Sequence, residues 1–125
     1  MYKSILILDD DTRIVDFLLF FLNQEFSHAD TYFAYNGQQG LEIWKQLLQP
    51  CLVIADIKMP IMNGREFYRH YTALGGCSQL VLFLTGDGQP VEGVSTRSKP
   101  FESEGLRSLA RIKERRYKPL LNRRH

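Results

Sequence analysis

A chain of 125 residues suits one domain with a single sizeable core. Hydrophobic and charged contents of 44% and 24% are those of an ordinary soluble globular protein. A membrane-spanning class is excluded on sequence, because the most apolar window, Ile14 to Leu22, is too short to cross a bilayer and contains Asp16. The net charge of +2 conceals an asymmetry: residues 106–125 hold eight Lys or Arg against one acid, Glu114, so the body is acidic and the tail basic. The N-terminus, MYKSILILDDD, lacks a signal-peptide pattern, since acids follow only four apolar residues; a cytoplasmic protein with no membrane association is expected. Cys51 and Cys77 form no CxxC and have no histidine at ligand spacing, so buried or half-buried free thiols are expected. The isolated His28, His70 and His125 are expected at the surface.

In chain order, Ser4 to Leu8 reads as a buried strand, followed by a helix capped by Thr12 and running to about Glu25. Thr31 to Tyr35 is a second strand, closed by the turn signal Asn36-Gly37. Leu41, Trp44, Leu47 and Leu48 then share a helical face that ends at Pro50. Leu52 to Ala55 is a third strand, and Phe67, Tyr71 and Leu74 mark a helix stopped by Gly75-Gly76. Leu80 to Leu84 and Val94 to Arg97 supply two more strands. Leu106, Leu109, Ala110 and Lys113 place a last helix that stops before Pro119.

Alternating strands and helices, with near-continuous apolar strands, predict an α/β fold whose parallel sheet is covered on both faces. Ligands gather at the carboxyl ends of such strands, near the point where strand order reverses. Asp9, Asp10 and Asp11 follow strand one, Asp56 ends strand three, Thr85 ends strand four and Lys99 ends strand five. If strands one and three are neighbours, these groups meet on one rim. Clustered carboxylates repel one another and call for a cation, and a hard ion such as Mg²⁺ accepts one or two of them with waters and phosphate oxygens. Lys99 offers a point charge for an anion and Thr85 a hydroxyl donor. Together these describe aspartyl-phosphate chemistry, in which electrostatic positioning of the phosphoryl group supplies most of the catalysis.

Four blocks in order, LILDDD, VIADIKMPIMNG, LFLTG and SKPF, resemble the signatures of the response-regulator receiver domain of two-component signalling, over residues 3–113. The resemblance implies a flavodoxin-like five-stranded parallel sheet of order 2-1-3-4-5, an order that is a standard example of the doubly wound class. It implies that Asp56 accepts a phosphoryl group from a histidine kinase or phosphotransfer protein, which switches partner binding. Asp9, Asp10, Asp56 and the Lys58 backbone carbonyl would hold Mg²⁺, Thr85 would bond a phosphoryl oxygen, and Lys99 would pair with its charge. It also implies a cis bond before Pro100. The protein would be a signalling receiver that assists its own phosphorylation and dephosphorylation, not an enzyme acting on other substrates. The receiver is expected over residues 1–118, with 119–125 a basic tail.

Two departures from that pattern stand out. Only 13 residues, 86–98, separate Thr85 from Lys99, and Gly86 to Gly93 holds three glycines and a proline. The usual fourth helix is therefore expected to be missing or reduced, with residues 86–93 forming a loop that orders on phosphorylation or partner binding. Loss of that cover would bare apolar sheet and rebuild the strand-four/strand-five face as a homodimer or effector surface. The aromatic residue that the family usually carries three places before the lysine is here Thr96. Three rival readings follow. Asp9 and Asp11 have the spacing of a haloacid-dehalogenase-like phosphatase, although position 13 is Arg where that motif needs Thr. The run Arg115-Arg116-Tyr117-Lys118 with Arg123-Arg124 could hold nucleic acid without specificity. The chain could also be a receiver taken from a longer protein such as a hybrid kinase.

Overall fold

The computed structural model describes residues 1–86, 95–98 and 103–117. It places β1 at Ser4–Leu8, α1 at Thr12–Glu25, β2 at Asp30–Ala34, α2 at Gly37–Trp44 and β3 at Cys51–Asp56. Then come α3 at Gly64–Ala73, a short 3₁₀ turn at Ser78–Leu80, β4 at Val81–Thr85, β5 at Ser95–Ser98 and α4 at Ser103–Arg116. All five strands run parallel in the order β2-β1-β3-β4-β5. The flavodoxin-like order read from the sequence is the order observed. The call of a missing or reduced helix between strands four and five, and of a loop there that orders on modification, falls on residues 87–94, outside the described residues. The cis bond proposed at Pro100 and the tail 119–125 also lie outside them.

Strand alternation splits the apolar residues into two cores. Ile5, Ile7, Leu52, Ile54, Leu82 and Leu84 point to one side, where α1 and α4 bring Val15, Leu18, Leu22, Leu106 and Ala110. Leu6, Leu8, Val53, Ala55, Val81 and Phe83 point to the other, against Leu41 of α2 and Phe67 and Tyr71 of α3. β1, β3 and β4 are buried along their whole length, as the apolar runs require. The expectation of bared sheet at strand four is therefore corrected. Tyr68 of α3 sets its ring edge-on against Phe83 at 5.9 Å, and Phe83 is fully covered. β2, by contrast, is an outer strand, like β5 at the other edge, and its Tyr32 and Phe33 remain exposed.

Other expectations shift by a residue or two. The cap of α1 is Asp11, not Thr12: the Arg13 N–H donates to Asp11 Oδ1 at 3.0 Å. Both residue types cap well, and only the turn geometry chooses between them. α2 stops at Trp44, so Leu48 leaves its apolar face and is exposed, while Trp44 packs on Tyr71 at 4.7 Å. Leu74, read as part of the apolar face of α3, is instead its exposed C-cap. α4 ends at Arg116 with Lys113, Arg115 and Arg116 in its last turn, where cations suit the helix dipole. α4 is fastened to α1 by Glu25, which pairs with Arg107 Nε at 2.8 Å and Arg111 at 2.9 Å. Arg111 also stacks over Phe26 at 4.5 Å. With both arginines about 40% exposed, each ion pair contributes at most ~1 kcal/mol, and Leu106 and Ala110 do more to hold the helix.

Cys51 is buried and its thiol is pushed up to about 12 by desolvation, which keeps it protonated and inert. Cys77 is half-buried, and His28 and His70 are exposed as expected; His125 lies outside the described residues. Two buried tyrosines brace the ends of the sheet. Tyr2 donates its hydroxyl to Ala110 O at 2.8 Å, and Tyr71 donates to Cys77 O at 2.6 Å. Burial raises both phenol pKa values well above 10. Raised acids keep their protons in the folded state while the unfolded chain ionises, so the tyrosine contribution is intact below pH 10 and falls above it, and that of Cys51 falls from about pH 9. The expected loss is about 1.4 kcal/mol per pH unit for each tyrosine. Cys51 adds an equal share, so urea titrations between pH 10 and 11 should show the combined slope reduced by about a third in Tyr71→Phe.

Candidate phosphoacceptor site

The site lies on the carboxyl edge of the sheet, where β1 and β3 sit side by side with Leu8 opposite Ala55. Each strand delivers an acid as it leaves the sheet. Asp9 follows β1, with its N–H donating to Ala34 O at 3.1 Å, and Asp56 is the last residue of β3. Carboxylate oxygens of Asp9, Asp10 and Asp56 all lie within 4.8 Å of one another. Asp9 and Asp56 are buried and Asp10 is exposed, so the cluster has two fixed acids and one facing water. The Asp11 N–H donates to Asp9 Oδ1 at 2.9 Å and fixes that carboxylate. Two negative charges 4.8 Å apart repel by roughly 3.5 kcal/mol at an effective dielectric of 20, a figure that favours a bound cation.

Asp11 itself is not in the cluster. Its carboxylate accepts from the Arg13 backbone and faces the Arg13 guanidinium at 3.3 Å; that side-chain bond holds its pKa below the usual carboxylate value. The Asp9/Asp11 pairing that a dehalogenase-like phosphatase needs is therefore not formed. Thr85 is buried at the end of β4, one residue beyond Leu84, the register partner of Asp56. Its own partner across β5 is Ser98, the residue before Lys99; Lys99 lies outside the described residues. Gly86 is exposed, and a Cβ there would meet nothing within 4 Å among the described residues. Thr96 stands half-buried beside Phe83 in the ladder.

The loop from Ile57 to Asn63 is held by backbone bonds at both ends. Gly64 N–H donates to Ile57 O, and Gly37 N–H donates to Met62 O, both at 2.8 Å. Asn63 and Glu66 form a reciprocal capping box at the start of α3, an Asn-x-x-Glu pattern visible in the sequence but not used there. Between these ties Met62 N–H donates to Pro60 O at 2.7 Å, and Ile61 has φ +70°. That is a γ-turn of the strained hand, centred on a β-branched residue that is 75% exposed. Glycine should relieve about 1–3 kcal/mol of strain there while costing about 0.5–1 kcal/mol of chain entropy. Ile61→Gly is therefore expected to raise stability by about 1 kcal/mol, read as a higher urea midpoint at unchanged slope.

A recess of about 520 Å³ opens beside the cluster, lined by Asp10, Ile57, Lys58, Met59, Pro60, Asn63 and Arg65. Lys58 is exposed at this recess. Arg65 was not singled out; it is brought there only because α3 begins immediately after the loop.

The sheet order and the carboxylates gathered at one rim define a doubly wound α/β domain with a candidate site at its carboxyl edge. The family model for the response regulator receiver domain matches residues 5–111, and the chain belongs to that family. It is 39% identical over 66 residues to the chemotaxis protein CheY of Halobacterium salinarum, a match spanning 53% of this chain and 52% of that protein. Thus the chain spans about half the length of that curated relative. Its fold is similar to a receiver domain from Clostridium thermocellum, with a TM-score of 0.78 at 24% identity over 91% of this chain and 95% of that one. It is also similar to the receiver domain of a signal transduction histidine kinase from Syntrophus aciditrophicus, with a TM-score of 0.77 at 23% identity over 94% of each chain. At these identities the structural likeness speaks to fold alone. Among the described residues, no helix is long and apolar enough to cross a membrane.

Proposed function

We propose that this receiver domain, spanning residues 1–118, accepts a phosphoryl group on Asp56 from the phosphohistidine of a kinase or phosphotransfer protein. The observation that supports this reading is the meeting of Asp9, Asp10 and Asp56 within 4.8 Å at the carboxyl edge of the sheet. An Asp56 oxygen forms the new P–O bond while the P–N bond to the donor imidazole breaks, the nitrogen keeping the bonding pair. Buried at 8% exposure, Asp56 is presented in one direction and sheltered from competing water. Thr85 donates its hydroxyl to a phosphoryl oxygen, and Lys99 pairs with the charge that remains.

The donor set fits magnesium, since it consists of hard carboxylate oxygens with one member open to water. Asp9, Asp10, Asp56 and the Lys58 backbone carbonyl would hold the ion. When bound, it would neutralise charge on the transferring group. The same residues favour attack of water on the aspartyl phosphate, which breaks its P–O bond and releases inorganic phosphate and the Asp56 carboxylate, so the domain assists both its phosphorylation and its dephosphorylation in the cytoplasm.

Intact-mass spectrometry after incubation with a small phosphodonor and Mg²⁺ tests this. One added phosphoryl group, mapped to the Asp56 peptide and absent when the metal is chelated, is expected. Modification that maps elsewhere, or none at all, would remove the proposal.

A further inference from the structure

We propose that the outer edge of β2 is a self-association surface, through which two copies of this chain join their sheets by antiparallel β2–β2 pairing. The argument begins with which backbone groups are spent. Asp30 N–H donates to Lys3 O, and Ala34 O accepts from Asp9 N–H, so Asp30, Tyr32 and Ala34 direct their backbone groups inward to β1. By alternation, Thr31 and Phe33 direct theirs outward. Further along, the outward N–H of Tyr35 is already taken by Gln39 Oε1 at 3.1 Å. The open edge is thus limited to residues 31–33.

That short edge complements itself. A two-fold axis beside Tyr32 sets Thr31 of one protomer opposite Phe33 of its partner, and the reverse. Both are residues with outward N–H and C=O, so each pair exchanges two hydrogen bonds, giving four in all. A register shifted by one residue would face outward groups with inward ones and form none. The edge also lacks the usual protection. It has no proline, lysine or bulge, and its flanks carry exposed rings instead.

Tyr32, Phe33 and Tyr35 are 36%, 42% and 39% exposed. Phe33 and Tyr35 touch at 5.3 Å on the side covered by α1. In α1, Phe21 and Glu25 turn toward α4, so Asp16 and Asn23 lie on the opposite flank, the one nearer β2. The three rings leave on the order of 250 Å² exposed per copy. That is about a third of the roughly 800 Å² that each partner brings to a standard interface, before the strand itself is counted. The surface is remote in sequence from the strand-four/strand-five face and owes nothing to Asp56 chemistry.

Light scattering of the full chain from low micromolar to near-millimolar concentration provides the test. A rise from one to two copies of the 14.6 kDa chain is expected. Thr31→Pro removes an N–H that the strand alternation turns away from β1 and that no bond among the described residues uses. It should weaken association about 100-fold, tenfold for each of the two hydrogen bonds lost. Phe33→Lys should do the same by charging the edge, and is tolerated because the site is exposed. Amide exchange at Thr31 and Phe33 should slow with concentration, whereas Tyr32, already bonded to β1, should not change. A chain that stays monomeric throughout, or a dimer that survives both substitutions, would overturn the proposal. So would binding of only an unrelated β-strand.

Discussion

Asp56→Asn is expected to abolish phosphorylation outright while leaving the fold intact. The amide oxygen is neutral and a poor nucleophile, and the neighbouring Asp9 and Asp10 cannot substitute for it: Asp9 is tied to the Asp11 N–H, and Asp10 faces solvent. The same change removes one of three negative charges gathered within 4.8 Å, so it should also weaken metal binding. In the unsubstituted chain, Mg²⁺ at ten times its dissociation constant should stabilise by about 1.4 kcal/mol, a rise of roughly 5 °C in midpoint. For Asp56→Asn at the same Mg²⁺ concentration most of that rise should vanish. Asp11→Asn is the matching control. Its partner is Arg13, asparagine caps a helix as well as aspartate does, and both phosphorylation and the Mg²⁺ shift should persist. Mass spectra and paired melts in Mg²⁺ and chelator read all of this. A full Mg²⁺ shift surviving in Asp56→Asn would place the ion elsewhere and break the account.

How far the sequence could foresee this site depends on which force set each part. Strand position is fixed by burial, and burial is written in composition: SILIL and VLFLT can only be interior strands, so the acids and the threonine that follow them had to emerge on one rim. β5 carries no such signal. Its Ser-Thr-Arg-Ser has one β-branched residue and no apolar run, and the strand read as Val94 to Arg97 lies one residue later, at Ser95–Ser98. The loop is a third case. Nothing local would put Ile61 at positive φ; the turn is imposed from outside, by Gly37 drawing in Met62 O and Gly64 drawing in Ile57 O. Competing local preferences explain the smaller differences. Asp11 and Thr12 are both good caps, and the choice fell to the residue whose side chain could also reach Arg13. Leu48 obeys helical spacing, but α2 had already ended. Tyr68 was not read as core, yet its ring covers Phe83 at a place where the sequence argument expected bare sheet.

The tightest point in the loop supports the second large effect. Gly64 is the first residue of α3, where alanine would ordinarily be welcome: helix propensity improves and the unfolded chain loses freedom. Packing reverses that sign. A Cβ at position 64 would lie 2.3 Å from Asp56 O and 2.9 Å from Ile57 Cα. Both are backbone atoms of the strand end that carries the phosphoacceptor, so no side-chain rotation relieves the clash. Gly64→Ala is expected to cost about 2–3 kcal/mol. The strain is discharged by moving Asp56 itself, and a displacement near 1 Å should slow phosphorylation about 100-fold in the molecules that remain folded. Two other glycines calibrate the measurement. At Gly40 the nearest obstacle is the Leu8 side chain, which can yield in part, so Gly40→Ala should cost less. At Gly105, within α4, a Cβ meets nothing within 4 Å, and Gly105→Ala should stabilise by up to about 1 kcal/mol. Urea midpoints for the three variants, with phosphorylation rates taken well below each midpoint, separate loss of fold from loss of aim. If Gly64→Ala proves as benign as Gly105→Ala, the close seating of α3 on the end of β3 is not what holds Asp56 in place.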